Sequence, residues 1–201
     1  MNRTKKTSTK NGERNKGLEP LGLVVRDEKP GKGLKPLVIK RAYPARSVNP
    51  VKKNVTNPHK DYDFFLAGVI QGSNEGPVTH DQDYRSKIKE ILAKKAPGRM
   101  LFCPVENHRH SVTYTDDEAR EVFFGHLEIL RRSRVMIAYL PTASLGTAVE
   151  MEICRQEGIP IITITPMALN WVVRLYSHAV VPDLKAFAKW LTKKNLTKLG
   201  I

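Results

Sequence analysis

Nine residues, TASLGTAVE (142–150), bring a hydroxyl, a glycine and a carboxylate into one short turn. They follow an apolar run, VMIAYL (135–140), and lead into a helical pattern. Small residues such as Ser144 and Gly146 leave backbone N–H groups accessible at the positive end of a helix. An anion such as a 5′-phosphate, or a sugar hydroxyl, suits that position. Glu150 follows in the opening turns of the same helix, where a carboxylate can stay ionised. An ionised, fixed carboxylate can attack a sugar anomeric carbon and form a covalent glycosyl–enzyme intermediate. On spacing alone a plainer reading covers the same residues. Ser144 is then an N-cap, Gly146 a first-turn residue, and Glu150 an acid that complements the helix dipole.

Other chemistry-bearing groups are sparse. His108 and His110 stand at i, i+2 in ENHRHS and would share a face of a strand, but no third ligand is close. Cys103 and Cys154 lie far apart in apolar segments, without CxxC or Cys/His metal spacing. They read as reduced core thiols in a reducing, cytoplasmic setting. No metal and no redox cofactor is expected. No apolar run reaches the ~18 residues of a membrane span. The basic start of the chain is not followed by the apolar core of a secretory signal.

The net charge of +14 is unevenly placed: residues 1–60 hold 16 Lys and Arg against 4 Asp and Glu, whereas residues 61–201 hold 18 against 16. The segment 1–60 is rich in Lys, Gly, Pro and Asn. Its apolar residues fall in two short patches, GLEPLGLVV (17–25) and GLKPLVIK (33–40). It reads as a mostly disordered basic tail able to contact nucleic acid or another anion in a salt-sensitive way. The remainder, 61–201, reads as one folded domain.

The elements that must position Ser144, Gly146 and Glu150 follow from the hydrophobic pattern. DYDFFLAGVI (61–70), RMLFCPV (99–105), RVMIAYL (134–140), IPIITIT (159–165) and AVVPD (179–183) read as buried strands. Helical spacing marks 80–95, with Tyr84, Ile88, Ile91 and Leu92 on one face. It also marks 115–133, with a Thr115/Glu118 capping box and a face of Ala119, Val122, Phe123, His126, Leu127 and Leu130. A third helix runs through about Glu157 to a Gly158 stop, and further helices cover 167–177 and 183–194. Strict alternation with continuous apolar strands predicts an α/β fold. The expected form is a flavodoxin-like (Rossmann-like), doubly wound, five-stranded parallel sheet. Ligands in such sheets sit beyond the C-terminal strand ends. That rule brings together Ala67–Ser73, PVENHRH (104–110), PTASLGTAVE (141–150) and TPMALNW (165–171).

The block from FFLAGVIQGS through HLEILRRSRVMIAYLPTASLGTAVEMEICRQEGIPIITITP resembles the nucleoside 2-deoxyribosyltransferase family. It is also similar to that family's hydrolytic relatives, the 2′-deoxynucleoside 5′-phosphate N-hydrolases and CMP N-glycosidases. The likeness covers about residues 62–191 and omits the tail. It implies that Glu150 is the nucleophile, and that Ser144 and Gly146 line the 5′ end of a nucleoside or nucleotide substrate. It further implies that Gly68, Ile70, Gln71 and Gly72 contact sugar and base, and that Phe65 stands near the substrate. Asn170 would reach a neighbouring subunit's site, which makes the chain a homo-oligomer with shared active sites. Two positions depart from the pattern. His126 stands where many members carry an Asp that assists protonation of the leaving base, and Arg134 where an Asp often begins the third strand. A histidine can act as general acid or base near neutral pH, and His126 is equally well placed as a core histidine.

Three functions remain open from the sequence. The first is cleavage or transfer at an N-glycosidic bond through Glu150. The second is a non-catalytic nucleotide-binding or sensing module of the same fold. The third is a TIR-like NAD glycohydrolase, which also uses a Glu.

Overall fold

Runs of β-branched, aromatic and leucine side chains form five strands in the computed structural model, which describes residues 60–201. They are β1 (Tyr62–Gly68), β2 (Leu101–Phe102), β3 (Ser133–Tyr139), β4 (Ile161–Ile164) and β5 (Ala179–Val181). Every pairing is parallel, and the order is β2-β1-β3-β4-β5. This is the doubly wound, flavodoxin-like order predicted from the sequence. The basic segment ahead of Lys60, with its expected low order and nucleic-acid or anion contact, lies outside the described residues.

Alternate side chains of the same strands feed two cores, as a period of two requires. On one face Phe64, Leu66, Val135, Ile137, Ile162 and Ile164 pack against Tyr84, Ile88 and Leu92 of α1 (Asp83–Lys95), with Phe187 of α6 (Leu184–Trp190). On the other face Phe65, Ala67, Met136, Ala138 and Ile161 meet three helices. These are α3 (Asp116–Arg131) through Leu127 and Leu130, α4 (Leu145–Glu157) through Met151 and Cys154, and α5 (Trp171–Tyr176) through Val173. Both cysteines are free and buried.

Local signals set most helix ends. The capping box of α3 is complete: Thr115 Oγ1 accepts from Glu118 N at 3.4 Å, and Glu118 Oε2 accepts from Thr115 N at 2.8 Å. Gly158 ends α4 in the left-handed region, at φ +68°.

Three expectations change. The second strand pairs over two residues only, because Pro104 offers no N–H to the ladder and instead opens the short helix α2 (Pro104–Asn107). A 3₁₀ turn, Ser111–Thr113, follows it. The helix expected from residue 167 begins at Trp171, because the Asn170 side chain caps Val172 N and Val173 N. The last helix divides at Leu191. Asn195 Nδ2 donates to Trp190 O at 2.7 Å, and Thr192 caps a separate α7 (Lys193–Lys198).

No helix among the described residues is long and apolar enough to cross a membrane. Removing the α3 cap tests the fold directly. Thr115→Ala should lower the unfolding free energy by about 1 kcal/mol. That would be read as a lower urea midpoint with an unchanged slope; an unchanged midpoint would show that the cap adds nothing.

Candidate active site

The parallel register sends β1 and β3 out of the sheet side by side, with Gly68 opposite Tyr139. Gly68 has no space for a side chain: a Cβ there would lie 2.5 Å from Tyr84 Oη and 2.9 Å from Tyr139 O. Tyr84 stacks on Tyr139 with ring centroids 4.1 Å apart, and its hydroxyl donates to Val69 O at 3.2 Å. The strand end is thereby clamped where the chain turns away.

The loop that follows is fastened to itself. His80 N donates to Ile70 O at 2.7 Å, Gln82 Nε2 donates to Val69 O at 3.1 Å and to His80 O at 2.7 Å. Gly72 holds φ +61°, and a Cβ on it would meet His80 Nε2 at 2.5 Å. Glycine is required there on both counts.

A cavity of about 330 Å³ opens at these strand ends. That is within the range of small-molecule sites, roughly 300–1,000 Å³. Gly68, Ile70, Gln71, Gly72, His126, Ser144, Gly146 and Glu150 all line it. Eight of the sequence-derived site residues therefore converge on one cavity. Gln71 is partly committed elsewhere, since its Nε2 donates to Gly76 O at 2.8 Å.

Two candidates lie outside the cavity lining. Phe65 is fully buried in the sheet core and stacks on Phe102 at 5.5 Å. It is a core residue, because the strand period points it into the α3–α4 layer. Asn170 spends its side-chain oxygen on the α5 cap, at 3.0 Å from Val172 N and 3.4 Å from Val173 N. Arg134 is also remote from the site. It is exposed at the other end of β3, paired with Asp63 at 3.6 Å.

Ser144 is an N-cap and a cavity residue at once. Its Oγ accepts from Thr147 N at 3.3 Å as the N-cap of α4, and the residue still lines the cavity. At Gly146 a Cβ would meet only Phe123 Cε2, at 3.9 Å, so the glycine leaves open space rather than relieving a clash. Thr147 is 1% exposed and lines the cavity, and its Oγ1 has no hydrogen-bond partner among the described residues.

The remaining wall is largely apolar: Pro104, Val105, Val112, Ala119, Val122 and Phe123 come from α2, the 3₁₀ turn and α3. Three aromatic polar groups interrupt it. His108 Nδ1 lies 3.0 Å from Tyr114 Oη, and the His126 ring packs edge-on to His108 at 5.2 Å and to Phe102 at 5.5 Å.

Burial controls the charges. Desolvation pushes the Glu150 carboxyl up to about 8, against the opposing pull of the Arg85 guanidinium. The expectation of a carboxylate held ionised by the helix end is corrected: Glu150 is the sixth residue of α4, beyond the first turn where that influence acts. Burial also depresses the His126 imidazole to about 4, with neighbouring His108 adding to the effect. The neutral imidazole is therefore the favoured form of His126 near pH 7.

Arg85 was not among the sequence candidates. It is 5% exposed and lines the cavity. Its Nη1 donates to Leu66 O at 3.0 Å and its Nε to Gln82 Oε1 at 2.8 Å. The available signal was its spacing, since Arg85 precedes Ile88 by three and Leu92 by seven on the buried stripe of α1. Among the described residues no group of three or more His, Cys, Asp or Glu could hold a metal ion.

No family model and no curated protein sequence matches the chain. Solved structures do. A 2-deoxyribosyltransferase from the psychrotolerant bacterium Bacillus psychrosaccharolyticus superposes with a TM-score of 0.51 at 20% identity, over 66% of this chain and 94% of that one. The two proteins share a fold. A conserved protein from Enterococcus faecalis V583 aligns at a TM-score of 0.47 and 17% identity, over 67% of this chain and 96% of that one.

The raised carboxyl has a consequence for stability. Below its ordinary value of 4.5 Glu150 is protonated whether the chain is folded or not. Between 4.5 and about 8 the unfolded chain releases a proton that the folded chain keeps, so stability falls as pH rises. Glu150→Gln removes this penalty. The melting temperature of the variant should exceed that of the wild type by a margin that grows up to about pH 8 and then levels off. A margin independent of pH would mean that the carboxyl is not desolvated.

Proposed function

We propose that the chain cleaves or transfers the N-glycosidic bond of a nucleoside or nucleoside 5′-monophosphate, with Glu150 as nucleophile. The observation that carries this reading is the convergence of Glu150, the Ser144–Gly146 turn and the Gly68–Gly72 loop on one cavity at the β1/β3 strand ends. The shared fold with a 2-deoxyribosyltransferase supports it. The apolar wall accommodates a flat base, and the small-residue turn at the α4 N-terminus accommodates the 5′ end of the sugar.

In the first step an Oε of ionised Glu150 bonds to C1′ as the C1′–N bond breaks, and the bonding pair leaves with the base nitrogen, which takes up a proton. Water or a second base then attacks C1′, giving up a proton, and the Glu150 carboxylate departs. Neutral His126 offers one N–H and one lone pair, which orient the base. The chemistry requires no cofactor.

A homo-oligomer belongs to this reading. Phe124 of α3, Leu145 and Val149 of α4, and Leu169, Trp171 and Leu175 in and beside α5 are exposed on helices that pack side by side. Leu145 is also part of the cavity wall, so a second copy seated on this strip would border the site.

A second reading is a nucleotide-binding module without turnover. What favours it is that desolvation in the cavity biases both Glu150 and His126 toward their uncharged forms near neutral pH.

A panel of nucleosides and 5′-monophosphates, with and without an acceptor base, separates the two when followed by chromatography. Base release or exchange is expected, and Glu150→Gln should reduce it by roughly 10³-fold or more. Equal rates in both proteins would remove Glu150 from the mechanism. A nucleotide that raises the melting temperature while nothing in the panel is consumed would favour the binding module. The pH profile supplies a further check. Because the nucleophile must lose its proton, kcat/KM should climb with pH and level off near the Glu150 value of about 8.

A further inference from the structure

The cavity floor contains a charge that the proposed reaction does not itself call for. Arg85 is the only Lys or Arg among the described residues lining the cavity. Its guanidinium is held by Leu66 O, by Gln82 Oε1 and by Cys103 Sγ at 3.7 Å. No carboxylate among the described residues comes within ion-pair distance of it. A guanidinium keeps its charge at every working pH and is expensive to bury without an acidic partner. Tyr84 covers part of that cost, since its ring lies 4.9 Å from the guanidinium carbon. The fold therefore maintains an uncompensated cation in the wall of the cavity that Glu150 also lines.

We propose that Arg85 is a positioning residue for Glu150: its fixed charge stabilises the carboxylate form that the cavity otherwise disfavours. The other titratable groups around Glu150 supply no positive charge near pH 7. Tyr84 from α1 is an acid whose ionised form would repel the carboxylate, and so is Cys154 on α4 itself. His126 from α3 is neutral near pH 7. Tyr139 from β3 stacks on Tyr84, and His108 from the α2 end is engaged with Tyr114. Arg85 is anchored through Leu66 O to β1, the strand against which α4 packs, so the cation and the carboxyl are fixed to one rigid frame.

The catalytic meaning of this role rests on the proposed reaction; the electrostatic role does not, and the test separates them. Glu150→Gln is compared with its parent in thermal melts of the full chain across pH, in wild-type, Arg85→Lys and Arg85→Met backgrounds. The pH at which the stability margin levels off reports the Glu150 titration. Arg85→Met should move that point to higher pH by about one unit or more, and Arg85→Lys should restore most of the shift. Where Arg85→Met does not fold, Arg85→Gln removes the charge while keeping a donor and takes its place.

Equal levelling points with and without the charge would overturn the proposal, whatever the activity. A shifted point in a protein that consumes no nucleoside would uphold it and reject the reaction. In an active protein, the acid limb of kcat/KM should move with the levelling point, and Arg85→Lys should recover it.

Discussion

The parallel pairing of β1 with β3 is the constraint from which the site follows. Their register runs from Tyr62 opposite Ser133 to Gly68 opposite Tyr139, so both strands leave the sheet at the same level. The chain then departs to opposite sides. β1 is followed by α1 on one face and β2 at the edge, whereas β3 is followed by α4 on the other face and β4 in the opposite direction. Neither connection can cover the gap between the two strand ends, and a crevice is left there. The Gly68 loop and the Ser144 turn are its two lips.

Burial then decides the charges inside that crevice. A carboxyl and an imidazole facing the same poorly solvated space are driven in opposite directions, because in each the charged form is the costly one. Glu150 rises to about 8 and His126 falls to about 4. The His126 ring lies edge-on to Phe102 and His108. Arg85 acts in the opposite sense from Glu150's burial and limits how far the carboxyl can rise.

The strand order, the capped α3 and the Gly158 stop were legible in the sequence because each has a local cause: continuous apolar runs, a Thr/Glu pair three apart, a glycine after the last helical turn. Seven of the eight cavity residues were legible because they stand at or just after strand ends, which converge; His126, on α3, was singled out by the resemblance alone. Phe65 lies in the core and outside the cavity lining, because resemblance places a residue by its neighbours in sequence while the period of two turns its side chain into the α3–α4 layer. Arg85 was missed because it lies inside a helix, on a stripe otherwise filled by Ile88 and Leu92, where an arginine looks like an exception to the pattern. The Glu150 and His126 charge states were out of reach, since they depend on how much water the completed cavity excludes.

The two halves of the cavity differ in how they are held. The floor is built from strand ends, a clamped glycine and a capped thirteen-residue helix, and its groups are fixed by backbone geometry. The roof comes from α2 and the 3₁₀ turn, four and three residues long, and its polar groups are held by local bonds, His108 to Tyr114 and Thr113 to His110 O, by the Glu106–Lys89 ion pair and by ring contacts. Short elements with few backbone bonds can change sequence at small cost to the sheet. Glu150 belongs to the half that is tied to the sheet, and His108 and Tyr114 belong to the half that is not. Residues 104–114 together with His126 shape the apolar wall of the cavity, while the charge on Glu150 is governed from α1.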